Sequence, residues 1–279
     1  MHEYVVLDVF TRVPLQGNPL AVFPHGDGID AELMQRAARE LSLSETVFLQ
    51  SGDGGTDARL RIFTPSDELP FAGHPTLGSA FLVGQRTGRT ELSLATGAGV
   101  VEVRLTREGE EIVYGEMEQP PPRIRPFAAV PELLRSLGVK RSELPITAYR
   151  NGPLHIFVAL ADPAAVAELV PDMNALATLG PLGVAVFALA GDHVITRNFA
   201  PGRGVPEDAA TGSAAGPLAL HLARHSLIEW GQEIEIHQGV EMGRPSLLRA
   251  RVEGTPDRVE RVVVGGGAVI VAEGRYRLS

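Results

Sequence analysis

Three segments of this 279-residue chain occur twice, in the same order, at an offset near half its length. Gly17-Asn-Pro-Leu-Ala-Val-Phe23 resembles Gly152-Pro-Leu-His-Ile-Phe157, 134 to 135 positions on. Arg61-Ile-Phe-Thr-Pro65 resembles Arg197-Asn-Phe-Ala-Pro201, 136 positions on. Phe71-Ala-Gly-His-Pro-Thr-Leu-Gly-Ser-Ala80 resembles Ala210-Thr-Gly-Ser-Ala-Ala-Gly-Pro217, with Gly73 and Gly212 139 positions apart. Ordered self-similarity of this kind implies a duplicated structural unit. It predicts two similar halves, each delivering a glycine-containing helix start. If the halves face each other across a pseudo-twofold axis, two positive helix ends meet in one cleft, where an anion is favoured.

Tyr4 to Phe10 and Leu20 to Phe23 read as strands around the loop Gln16-Gly-Asn-Pro19. Asp30 caps a helix through about Leu41, with apolar positions 33, 34, 37, 38 and 41 on one stripe. Arg59 to Phe63 alternates as a strand, Thr64 to Ala72 is a loop, and Pro75 opens a helix to about Gly84. Strand pairs span Leu92 to Leu105, and Gln119-Pro-Pro-Pro122 is the most linker-like stretch, where the boundary is expected. The second half reads as a helix at Pro131 to Leu137, strands at His155 to Leu160, Val184 to Leu189 and Val194 to Phe199, then a helix from about Ser213. Strands near Glu233 to His237, Leu247 to Val252, Arg258 to Val264 and Ala268 to Ala272 follow, the last two joined by a turn at Gly265-Gly-Gly267. Many strands and few helices per half predict an α+β architecture, not a βαβ succession.

Charge and cysteine usage remove several function classes. A net charge of −9 with no basic run argues against a nucleic-acid or anionic-membrane partner. The absence of cysteine removes disulfides, thiolate metal sites and thiol acid-base chemistry. Met1-His-Glu-Tyr-Val-Val-Leu begins as a strand with no signal-like segment, so the expectation is a soluble, cytoplasmic protein.

From Glu207 to Leu222 a loop turns into a helix near Gly212 and Ser213. Ser213 suits the N-cap, Pro217 falls in about the first turn, and Asp208 lies just upstream, within reach of a ligand at that helix start. The competing reading is a small-residue helix packed closely on a neighbour. Ser42-x-x-Glu45 fits a capping box, yet the β-branched, apolar Thr46-Val-Phe-Leu49 suits a strand. A carboxylate entering such a strand is partly desolvated, which raises its pKa toward the range useful for moving a proton. Matched through Phe48 and Phe187, its counterpart is Val184, so the cleft is expected to hold one proton carrier. His74, between Gly73 and Pro75, is placed either to cap a helix or to bind and exchange a proton. His221 and His225 are spaced for a shared metal, but Leu222 stands where the zincin glutamate belongs, and an outward face is expected. His155, His193 and His237 read as structural strand residues.

Taken together, Gly17-Asn-Pro, Ser44-Glu45, Arg61-Ile-Phe-Thr-Pro65, Glu68-Leu-Pro-Phe-Ala-Gly-His-Pro75, Glu207-Asp-Ala-Ala-Thr-Gly-Ser-Ala-Ala-Gly-Pro-Leu218 and Gln238-Gly-Val-Glu-Met-Gly-Arg-Pro-Ser246 resemble the PhzF family of phenazine biosynthesis along essentially the whole chain. The resemblance implies a diaminopimelate-epimerase-like fold: two pseudo-symmetric domains, each a curved sheet around a central helix, in a homodimer. With the first domain completed by the last strand, the implied ranges are 1–118 plus 267–279 and 119–266. It implies a cofactor-free, metal-free isomerase acting on a small aminocyclohexadiene carboxylate, trans-2,3-dihydro-3-hydroxyanthranilate. Glu45 falls on the family's catalytic glutamate; His74, Asp208 and Ser213 fall on substrate contacts, and Gly73 and Gly212 supply backbone N–H groups. Two alternatives stand beside this reading: an isomerase or epimerase of the same fold on another small amino or hydroxy acid, and a binding protein that keeps the fold without turnover.

Overall fold

A helix apolar on every side is stable only inside a wrapping of other elements, and this chain wraps two. The computed structural model describes residues 1–278. The first half runs β1 (His2–Val9), β2 (Asn18–Phe23), α1 (Ala31–Leu41), β3 (Glu45–Ser51), β4 (Ala58–Phe63), β5 (Glu68–Leu69), α2 (Gly73–Thr87), β6 (Glu91–Thr96), β7 (Gly99–Glu108) and β8 (Glu111–Gln119). The second runs β9 (Arg123–Pro126), α3 (Val130–Leu137), β10 (Thr147–Arg150), β11 (Leu154–Ala159), α4 (Pro163–Ala167), α5 (Met173–Ala177), β12 (Leu182–Ala190), β13 (His193–Ala200), β14 (Val205–Asp208), α6 (Gly212–Arg224), β15 (Glu233–Gln238), β16 (Ser246–Thr255), β17 (Arg258–Gly266) and β18 (Ala268–Tyr276).

Pairing repeats in the two halves. In the first, β1 is antiparallel to β2, β2 parallel to β3, β3 antiparallel to β4, and β4 parallel to β6, which leads through β7 to β8. In the second, β10, β11, β12, β13, β15, β16 and β17 repeat that succession with the same orientations. The two sheets are joined where β8 pairs with β17, from Val262 opposite Gln119 to Gly266 opposite Gly115. The strand that follows each sheet's last one crosses to the first strand of the other sheet. β9 pairs with β10, and β18 pairs with β1. The Gly265-Gly-Gly267 stretch is therefore not a hairpin turn: two of its glycines end β17, and the chain crosses to the other sheet.

α2 packs against β1, β2, β3, β6, β7 and β8, and α6 against β11, β16 and β17. Every residue of α6 from Gly212 to Ala223 is buried, and α2 is buried from Gly73 to Leu82. Each large apolar side chain taken from water in these cores contributes roughly 1.5–3 kcal/mol. Phe10 sits at the junction with φ 64, a left-handed backbone costing about 1–2 kcal/mol in a non-glycine residue. Its fully buried ring lies beneath Gly212, and its N–H and C=O bond Gly267 and Leu247. The strands β8, β9 and β10 and the helix α5 carried no signal in the sequence reading; each is short, or alternates in a charge-rich segment.

Candidate active site

The helix starts touch. A Cβ on Gly73 would lie 2.4 Å from the carbonyl carbon of Gly212 and 2.5 Å from the nitrogen of Ser213, so only glycine permits this approach. Ala72 caps α2 and Thr211 caps α6, neither through a side-chain hydrogen bond, so the first-turn N–H groups are left to other partners. Ser213, expected as the N-cap, is instead the second residue of α6. Its hydroxyl lies 3.0 Å from Nε2 of His155. Pro217 sits deeper in α6 than the first turn, at the sixth position.

Glu45 opens β3 beside Leu20 of β2. Ser42 terminates α1 in a left-handed turn, which leaves Glu45 to begin a strand and disposes of the capping box. The Glu45 side chain is 14 % exposed, and Oε2 has no hydrogen-bond partner among the described residues. Burial, and next the charge of Asp208, push its pKa well above the usual carboxylate range, while Arg203 pulls the other way. His74 is the second residue of α2 and 3 % exposed; burial lowers its pKa to about 3, so the ring is neutral. Its Nδ1 faces the amide nitrogen of Asn18 at 3.3 Å. Both hydrogens of that amide have closer acceptors in Asp208 and Ala210, and the opposite ring nitrogen of His74, Nε2, faces Glu45. That Nε2 is 3.5 Å from Glu45 Oε2, too long for a strong hydrogen bond and close enough to share a ligand.

Asn18 is the hub that sequence reading passed over as a turn residue. Its amide nitrogen donates to Asp208 Oδ1 at 2.7 Å and to the Ala210 carbonyl at 2.9 Å, and its oxygen accepts from Ser44 at 3.0 Å. Asp208 Oδ2 accepts from the Thr211 hydroxyl at 2.6 Å. Burial outweighs these bonds and raises the Asp208 pKa. Glu45, Asp208 and Ser213 line one cavity of about 40 Å³, together with His155, Asn198 and Arg203; Gly73, His74 and Gly212 are not part of its wall. His155 is thus a cavity residue, not merely a strand residue. The available signal was its place in a repeated segment that otherwise carries apolar side chains.

Two further expectations change. The pairing of Leu20 with Glu45 is repeated by His155 with Gly183, and that of Thr46 with Phe63 by Val184 with Phe199. The counterpart of Glu45 is therefore Gly183, not Val184; a one-residue slip moves a strand residue to the opposite face. His221 does not face outward. It is fully buried, 2.9 Å from the Tyr149 hydroxyl and stacked on Phe157, because α6 is wrapped on all sides.

The sequence matches the family described as phenazine biosynthesis-like protein over residues 7–274. The chain belongs to this PhzF family. It is 52% identical over 278 residues, covering all of both chains, to a Pseudomonas aeruginosa protein named trans-2,3-dihydro-3-hydroxyanthranilate isomerase. A predicted epimerase from the same organism superposes with a TM-score of 0.83 at 33% identity, over 99% of each chain. A PhzF-family protein from Bacillus anthracis superposes with a TM-score of 0.86 at 24% identity over 98% of each, which speaks to the fold. The chain is an isomerase with the α+β, epimerase-like fold of this family, and among its described residues no helix is long and apolar enough to cross a membrane.

Proposed function

We propose that the chain isomerises trans-2,3-dihydro-3-hydroxyanthranilate, with Glu45 as the group that moves the proton. The observation that carries this reading is a nearly buried carboxylate on a cavity wall, with an unpartnered oxygen and a raised pKa. The substrate carboxylate rests against the converging starts of α2 and α6, whose N–H groups and positive ends favour it. Asp208 and His74 hold the amino and hydroxyl groups. Glu45 takes the proton from C3; the C–H electron pair forms a C3–C4 double bond, and both ring double bonds shift by one position. C1 then receives the proton from the Glu45 carboxyl, so the enzyme ends as it began. The enol released at C3 tautomerises to an aminoketone. A pKa raised by burial makes the carboxylate a stronger base than an exposed glutamate, which suits a group that must accept and then return a proton. The clamped ring supplies the orientation, and the helix ends stabilise charge that develops in the ring.

The division into 1–118 plus 267–279 (residue 279 lies outside the described residues) and 119–266 is proposed as the pair of units that carry Glu45 and His74 on one side of the cleft and Asp208 and Ser213 on the other. Incubation with the dihydro substrate in deuterated water, followed by NMR, tests the assignment. Deuterium or retained protium at C1 with loss of the C3 hydrogen is expected, and full turnover by Glu45→Gln refutes the role of Glu45.

A further inference from the structure

The cavity wall opposite Glu45 is not bare. Where the first half carries Leu20 and Glu45 side by side, the second carries His155 and Gly183. His155 and Asn198 are each 2 % exposed and both line the cavity. Nδ1 of His155 and Nδ2 of Asn198 have no hydrogen-bond partner among the described residues, although buried polar groups are nearly always paired. Both side chains crowd the one position that lacks a side chain. A Cβ at Gly183 would meet His155 Nδ1 at 2.9 Å and Asn198 Oδ1 at 3.1 Å. Replacing the glutamate of the first half by glycine thus clears room for two uncharged polar groups in the second.

We propose that His155 and Asn198, meeting over Gly183, form a polar subsite that holds an oxygen substituent of the ring acid and so helps set which acid the cleft accepts. The inference deepens the isomerase reading and rests on it. The Asn198 Nδ2–H donates to that oxygen. His155 sits on Ser213 through Nε2, which leaves Nδ1 for the same ligand and ties the subsite to the start of α6. Neither side chain carries charge in its neutral form, so this wall can take a hydroxyl or one carboxylate oxygen while leaving proton transfer to Glu45. An apolar ring without such an oxygen leaves two buried polar groups unpaired, which is the costly case that makes a hydrogen-bonding site selective.

The probes are 3-hydroxyanthranilate, anthranilate, which lacks the hydroxyl, and 2-aminophenol, which lacks the carboxylate. Calorimetric affinities are measured for the intact wild type, Asn198→Leu and Gly183→Ala, with melting temperatures taken alongside and turnover of the dihydro substrate as a KM-against-kcat split. The expected result is about tenfold weaker binding of 3-hydroxyanthranilate by both variants, from the loss of one hydrogen bond to a buried group. One of the two truncated probes should bind variant and wild type alike, and its missing group names the oxygen held. Turnover should lose in KM more than in kcat. Unchanged affinity for all three probes overturns the subsite, as does an equal loss for all three, which signals altered packing only. A wild type that binds no probe and turns nothing over breaks the isomerase reading instead, and the subsite with it.

Discussion

The two halves share a scaffold and differ at the cavity. Outside it the duplication extends to side-chain chemistry. Arg61 holds Glu68 through Nε and Nη2, both at 2.7 Å, and stands over Phe63; Arg197 holds Glu207 in the same way, at 2.8 and 2.9 Å, over Phe199. At the cavity the equivalents part: Glu45 against Gly183, Leu20 against His155, His74 against Ser213. A duplicated frame preserves what positions the helix starts, because both halves must deliver one. A single-residue shuttle needs a carboxylate at only one of these two equivalent strand positions, and the second half already raises the Glu45 pKa through Asp208. The second half is thereby free to present neutral polar groups.

The comparison can be broken most directly at Glu45. Glu45→Gln should lower kcat by about 10²–10⁴-fold while the protein keeps its melting temperature, measured by steady-state assay and calorimetry. Next come the touching glycines, which the duplication makes formally equivalent and the packing does not. Gly73→Ala drives a methyl into the backbone of Gly212 and Ser213, and should cost on the order of 10²-fold in kcat/KM by displacing the helix starts. Gly212→Ala meets the ring of Phe10 at 2.9 Å and the Gly73 carbonyl carbon at 3.1 Å, looser contacts than those at Gly73, and should cost less. Equal losses in the two variants would mean that the close approach does not matter to the site.

Acid sensitivity should divide unevenly between the halves. His74 in the first half, and His155 and His221 in the second, have pKa values lowered to about 3 by burial. For a lowered histidine the unfolded chain binds the proton first. The stability it contributes is complete above its usual value of 6.5 and is lost as pH falls toward 3. Glu45 and Asp208 act in the opposite sense, being raised: their contribution is present at low pH and lost as pH climbs through their folded values. Melting curves of wild type and His221→Leu between pH 7 and 3 isolate one histidine, and the variant should lose less stability across that window. Parallel curves would show that His221 does not titrate on unfolding. The smallest effect belongs to the ion pair that spans the halves at the cavity edge, Arg203 to Asp67 at 3.2 Å. With Asp67 half-exposed, Asp67→Asn should change KM by less than about fivefold, less still at high salt.

Several features were legible in the residues alone. The glycine starts at 73 and 212, the Arg-x-Phe strands and the Asp30 cap all depend on local chemistry, and α1 runs as its stripe predicts. The raised pKa of Glu45 follows from a carboxylate opening an apolar strand, which the β-branched run after it already implies. Asn18, His155 and Asn198 could not be found that way, because each earns its place through partners 50 or more positions away or across a sheet.

The sequence by itself determined that this chain is built twice over, where each half starts its central helix, and which carboxylate enters a strand. Only the tertiary structure decided that β9 follows the first sheet yet pairs with β10 of the second, and that glycine, not valine, is the counterpart of Glu45. It alone put His155 beside Ser213 and turned His221 inward. The reason is one of range. Helix starts and strand alternation are set by neighbours within a few positions, while register and wrapping are set by which distant strands pair, and a shift of one residue there reverses the face of every side chain.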